Sequence, residues 1–104
     1  VDDLIDTGTR MINSAEAVKK AGAKTISAVA THPIFSKNAA KRLEASDLME
    51  VLVSDSIVVP EECHFDKLKI LSVTDLVGDA IRMTQDNESI DSLFDVRDSF
   101  TIIK

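Results

Sequence analysis

The sequence predicts an α/β fold, a largely parallel sheet flanked by helices. Three observations carry it: helical and strand-like apolar patterns alternate along the chain, the strand-like runs are nearly continuous in apolar residues, and Gly, Pro and Ser punctuate the joins. Continuous apolar strands of this kind imply a sheet covered on both faces. Such sheets bind ligands beyond the carboxyl ends of their strands.

Taken in order, residues 10–21 place Met11, Ala15 and Val18 on one helical face, and Gly22 follows where a left-handed residue commonly ends a helix. Thr25-Ile26-Ser27-Ala28-Val29-Ala30 reads as a short buried strand that stops at Thr31-His32-Pro33, which reads as a loop. Ser36 is placed to cap a helix carrying Ala39, Ala40 and Leu43. Val51-Leu52-Val53 is the next strand, and the segment from Asp55 to Asp66, with Pro60 inside it, is a loop. Leu68-Lys69-Ile70-Leu71 is a further strand. Val73, Leu76, Val77, Ala80, Ile81 and Thr84 then recur at the spacing of one buried helical stripe. The predicted order is helix, strand, helix, strand, strand, helix, with no internal repeat.

Composition narrows the function. The 104 residues are 44% hydrophobic and 29% charged, as in one globular unit. A net charge of −6 with no cluster of Lys or Arg gives no positive field for nucleic acid. No apolar run approaches the ~20 residues that span a bilayer, and the N-terminus lacks the pattern of a secretory signal, so no membrane role and a cytoplasmic location are expected. The single Cys63 has no internal disulfide partner, in keeping with a reducing compartment.

The segment most suited to chemistry is Val1-Asp2-Asp3-Leu4-Ile5-Asp6-Thr7-Gly8-Thr9-Arg10, a small polar loop between the end of a strand and the start of a helix. Free N–H groups at a helix N-terminus point at an anion, the helix dipole favours it, Thr hydroxyls add donors, and Gly8 allows close approach. Asp2 and Asp3, a few residues before this cradle, suit sugar hydroxyls or a hard cation. Together they read as a sugar phosphate site. Spacing alone fits an ordinary acidic turn with an Asp or Thr helix cap equally well.

The same segment resembles the PRPP-binding signature of ribose-phosphate pyrophosphokinases (PRPP synthetases): a hydrophobic residue, two Asp, two variable residues and Asp-Thr-Gly-Gly-Thr. Phosphoribosyltransferases share a looser version. Ala30-Thr31-His32-Pro33-Ile34-Phe35-Ser36 resembles that family's Thr-His loop, and Asp66-Lys67-Leu68-Lys69-Ile70-Leu71-Ser72-Val73 its penultimate strand. Asp79-Ala80-Ile81-Arg82 and Asn87-Glu88-Ser89-Ile90-Asp91-Ser92-Leu93-Phe94 resemble its final helix and tail. The four segments fall in the family's order over almost the whole chain.

The resemblance implies a phosphoribosyltransferase-like fold and an enzyme that moves diphosphate from ATP to the 1-hydroxyl of ribose 5-phosphate, with Mg²⁺. It implies that Asp2 and Asp3 address the ribose and Mg²⁺, while Asp6, Thr7, Gly8, Thr9 and Arg10 surround the 5-phosphate. The partners implied are ribose 5-phosphate, ATP and further copies of the chain in a hexamer. Residues 1–104 then correspond to the C-terminal half of such a protein, one α/β domain that opens inside its own motif and reads as truncated. The ATP contacts and the catalytic Lys and Arg are expected upstream, so this chain alone is expected to be inactive.

Two departures matter. The family's second Gly is Thr9 and the following Thr is Arg10. Thr9 adds a side chain where the backbone approaches the ligand and where a φ suited to Gly is expected, while Arg10 is expected to bond the phosphate in partial compensation. At the tail, Asp91 replaces the second Ser of a Ser-Val-Ser that contributes to an allosteric phosphate or ADP site in the family. Weak regulation by phosphate or ADP is expected, unless Asp91 simply faces solvent.

His32 is a further candidate site residue, with a hydrogen bond that orders its loop as an equal reading. Cys63, His64 and Asp66 lack the second pair that a zinc site needs. Glycines 8, 22 and 78 form neither a dinucleotide fingerprint nor a Walker loop. Ser14, Lys19 and Lys20 read as a solvated helix face. Two alternatives to the enzyme stay open: a non-catalytic PRPP synthetase-associated regulatory subunit, favoured by the Thr9-Arg10 pair, and a phosphoribosyltransferase.

Overall fold

A computed structural model describes residues 1–95. It contains β1 (Asp2–Ile5), α1 (Thr9–Lys20), β2 (Ser27–Pro33), α2 (Ala39–Ala45), β3 (Glu50–Ser54), a 3-10 turn (Glu61–Cys63), β4 (Leu68–Leu71), α3 (Thr74–Gln85) and a second 3-10 turn (Asp91–Phe94). The four strands lie side by side in sequence order and every pair is parallel. The predicted fold class therefore holds.

The core lies on one face of this sheet. Alternate residues of the strands, Ala28, Ala30, Val51, Val53, Leu68 and Ile70, are buried in one cluster with Ala15 of α1 and Ala39 and Leu43 of α2. Phe35 closes one end and meets Phe65 edge to face, the rings 6.0 Å apart. The opposite face, expected to be covered, is open among the described residues. Ser27, Glu50 and Lys69 form a polar ladder there, with Ser27 Oγ donating to Glu50 Oε1 at 3.0 Å and Lys69 Nζ 2.7 Å from Glu50 Oε2. Val29, two positions beyond Ser27 on the same face, keeps 37% of its surface exposed.

Three further expectations change. The chain opens on a strand: β1 pairs with β2 from Asp2 opposite Ala30 to Ile5 opposite Pro33, so the acidic pair is part of the sheet and the loop proper is only residues 6–8. Charged residues are poor strand formers, but edge strands accept them because their side chains reach water. β2 likewise runs through Thr31, His32 and Pro33. Pro33 is tolerated at the strand's last position, where the N–H groups of Ile34 and Phe35 turn inward to share Ile5 O. Finally, α3 is amphipathic as predicted, yet none of its residues is buried; Ile81 is 66% exposed, so the stripe has no partner among the described residues.

The ends of α1 and α3 follow from local chemistry. Gly22, at φ +104°, closes α1 with its N–H on Lys19 O and the Ala23 N–H on Val18 O. Asn87, at φ +55°, closes α3 the same way, with Glu88 N–H on Met83 O. Among the described residues no helix is long and apolar enough to cross a membrane.

Candidate functional site

The loop between β1 and α1 borders a cleft of about 660 Å³, a volume suited to a small ligand. Asp2, Asp6, Thr7, Gly8, Thr9 and Arg10 all line it; of the predicted contacts on this segment only Asp3 does not.

Gly8 is the residue before the first helical turn and takes φ +80°, the left-handed region that glycine enters without strain. A Cβ there would also come within 3.4 Å of the fully buried Leu43. Thr9, in contrast, begins α1 and has no positive φ, so the cost expected for its side chain does not arise. No side chain caps α1. An ordinary turn with an Asp or Thr cap is therefore not what forms here. Its first N–H groups lack carbonyl partners within the helix, and that of Thr9 has only a long contact of 3.5 Å to Thr7 Oγ1. The loop thus presents backbone donors and the positive end of a 12-residue helix to the cleft.

Neighbouring elements hold this loop. Arg42, from α2, donates through Nη1 to Thr7 O at 3.0 Å and to Thr9 Oγ1 at 2.9 Å, and the Thr7 and Thr9 hydroxyls lie 3.1 Å apart. Ser36 donates its hydroxyl to Asp6 Oδ1 and its N–H to Asp6 O at 3.0 Å. Ser36 therefore ties two loops together and does not cap α2, whose first residue is Ala39. Phe35 and Lys37, at φ +49° and +55°, give this second loop its sharp shape.

The acidic pair faces Arg10. Arg10 Nη2 is 2.8 Å from Asp2 Oδ2 and 3.9 Å from Asp3 Oδ1. Asp2 Oδ1 also accepts the Asp3 N–H at 2.9 Å, and Asp3 Oδ1 accepts the Leu4 N–H at 2.8 Å. The Asp3 N–H holds the Asp2 carboxyl below the usual carboxylate range, and Arg10 acts in the same direction. Arg10, expected at the phosphate, is thus directed to the acids. Among the described residues no three His, Cys, Asp or Glu side chains converge on a point where a metal could sit. The carboxylate pair alone, already bonded at three of its oxygens, is not a cage for a resident divalent ion.

His32 is not brought to the loop by a side-chain bond; its Nδ1 lies 2.8 Å from Ser56 Oγ, which also donates to Thr31 O at 3.2 Å. His64 Nε2 is 3.1 Å from Val59 O, and Cys63 packs partly buried against the core. Asp91 is exposed at the start of the second 3-10 turn. Sequence reasoning missed Arg42. The available signal was its position one turn into the helix that follows a strand's carboxyl end, where side chains reach the neighbouring loop.

Residues 1–95 match the family described as phosphoribosyl synthetase-associated domain. The chain is 50% identical over 97 residues to putative ribose-phosphate pyrophosphokinase 2 of Lactiplantibacillus plantarum, an alignment covering 93% of the chain and 30% of that protein. It is 44% identical over 94 residues to ribose-phosphate pyrophosphokinase of Fusobacterium nucleatum, covering 90% and 30%. Among solved structures, phosphoribosylpyrophosphate synthetase from Mycobacterium smegmatis superposes with a TM-score of 0.80 at 32% identity, over 83% of this chain and 29% of that one. The chain therefore spans about 30% of the length of these relatives.

Proposed function

Since the chain belongs to the phosphoribosyl synthetase-associated domain family, we propose that it is the ribose 5-phosphate-binding part of a ribose-phosphate pyrophosphokinase. The observation that carries this reading is the uncapped N-terminus of α1 behind Gly8, opening on the same cleft as Asp2. The 5-phosphate accepts hydrogen bonds from the N–H groups of the first turn and from the Thr7 and Thr9 hydroxyls. Asp6, at the start of the loop, accepts hydrogen bonds from the Ser36 hydroxyl and N–H, which hold the loop around the phosphate in place. Asp2 accepts bonds from ribose hydroxyls, which fixes the ring and directs the 1-hydroxyl toward the nucleotide, while Asp3, outside the cleft lining, adds negative charge beside it.

The reaction is transfer of diphosphate from ATP to that 1-hydroxyl, giving PRPP and AMP for nucleotide biosynthesis. It needs positioning and charge stabilisation and no covalent nucleophile. Mg²⁺ enters with ATP as the metal–nucleotide substrate and offsets charge on its phosphates. In this reading residues 1–104 form a segment of a longer cytoplasmic protein, about 30% of its length and so less than the half expected from the sequence; the rest supplies the ATP contacts and catalytic residues, and the whole assembles as a homo-oligomer. The segment by itself is inactive.

One observation favours a regulatory, non-catalytic relative: Arg10 sits on the acids that the sugar needs. A coupled assay of ribose 5-phosphate- and ATP-dependent PRPP formation by the intact protein separates the two. Activity supports the enzyme. A folded, inactive protein that still binds ribose 5-phosphate supports the regulatory subunit.

A further inference from the structure

Asp2 and Asp3 are consecutive on β1 and start toward opposite sides of the strand, yet Arg10 Nη2 reaches both, at 2.8 and 3.9 Å. With Asp2 Oδ1 and Asp3 Oδ1 on backbone N–H groups and Asp2 Oδ2 on Arg10, only Asp3 Oδ2 has no bond among the described residues. That oxygen belongs to a side chain 76% exposed and outside the cleft lining. A small divalent ion wants near-octahedral oxygens close at hand, and a guanidinium a few ångströms away repels it.

We infer that Arg10 is a tethered counter-cation of the acidic pair: it takes the charge role that a divalent ion would fill there, so the sugar end of the cleft binds ribose hydroxyls without a metal on Asp2 or Asp3. The ribose part of this inference rests on the proposed function; the exclusion of the ion does not. The chemistry suits the task. Arg10 Nη1 and Nε make no bond among the described residues, so they are left to donate to sugar or phosphate oxygens while Nη2 holds the acids. As an ion pair 72% exposed on the Arg side, it adds little to stability, and its consequence is for what binds.

The test is Mn²⁺ binding, followed by the electron paramagnetic resonance of the free ion, to the full chain and to Arg10→Thr, Arg10→Gln and Arg10→Lys. Removing the charge in either of the first two is expected to tighten Mn²⁺ binding by roughly tenfold or more. Arg10→Lys is expected to stay weak, and Asp3→Asn added to Arg10→Thr is expected to abolish the gain. Calorimetric titration of the wild-type chain with ribose 5-phosphate is expected to give the same affinity in EDTA and in Mg²⁺. Equal Mn²⁺ binding by the wild type and both neutral variants overturns the inference, as does ribose 5-phosphate binding that collapses in EDTA. If ribose 5-phosphate binds in neither buffer, the proposed function fails while the Mn²⁺ series still decides the role of Arg10.

Discussion

Arg42 Nη1 lies 2.9 Å from Thr9 Oγ1, a hydrogen bond between side chains 33 positions apart that braces the loop between β1 and α1 from α2. Thr9 stands where the resembling family has glycine, so this chain gains an acceptor there. Arg42 adds a bond to Thr7 O, and the two contacts limit the conformations open to residues 7–9 before any ligand arrives. Removing the guanidinium takes away both contacts. Arg42→Ala is expected to weaken ribose 5-phosphate binding about tenfold, measured by calorimetry. Unchanged affinity would show that the brace has no effect on binding.

Gly8→Ala tests the backbone. The new Cβ meets Leu43 at 3.4 Å, and the residue must hold φ +80°. A loss of about 1–2 kcal/mol is expected from the left-handed conformation, seen as a lower Tm in a thermal melt followed by circular dichroism. Ribose 5-phosphate binding should fall as well, because relaxing the strain moves the first N–H groups of α1.

Leu43 is fully buried and joins the core to Gly8. Leu43→Ala is expected to cost about 2–5 kcal/mol in a urea titration, the range for a buried leucine that leaves a cavity. A loss well below this would mean that α2 collapses onto the sheet.

Asp55 supplies a pH test. Its Oδ1 accepts the Val73 N–H at 2.8 Å, and its Oδ2 accepts the hydroxyls of Ser72 at 2.8 Å and Thr74 at 3.1 Å. The Val73 N–H, followed by Ser72, holds its carboxyl below the ordinary value. Because the folded value is depressed, the stabilisation is fully present above the unfolded value of about 3.9 and is lost as pH falls through the lower folded value. Asp55→Asn is expected to be less stable than the wild type at pH 7, with the difference shrinking below about pH 4. A constant difference across that range would assign the effect to packing.

Much of the fold was legible because its determinants are local. Gly22 ends α1 as its position requires, and the apolar runs at Ala28–Ala30 and Val51–Val53 are strands because both residue choice and spacing suit a pleated surface. The misreadings have a shared origin in contacts distant in sequence. Asp2 and Asp3 look like loop residues until β2 is seen to pair with them. Ser36 looks like a cap until Asp6, 30 positions earlier, is found against it. Arg10 lines the cleft beside the cradle, as its spacing suggests, but only three-dimensional placement shows the acids within its reach as well. The stripe of α3 was read correctly as a pattern, but a pattern does not say what covers it.

The central claim is that residues 7–10 form a phosphate cradle, and it is tested most directly by ¹⁵N-edited NMR titration with ribose 5-phosphate and, in parallel, with ribose. The account predicts large saturable shifts of the Thr7, Gly8, Thr9 and Arg10 amides with ribose 5-phosphate and only weak ones with ribose. Equal responses to the two sugars, or shifts confined to other residues, would contradict it.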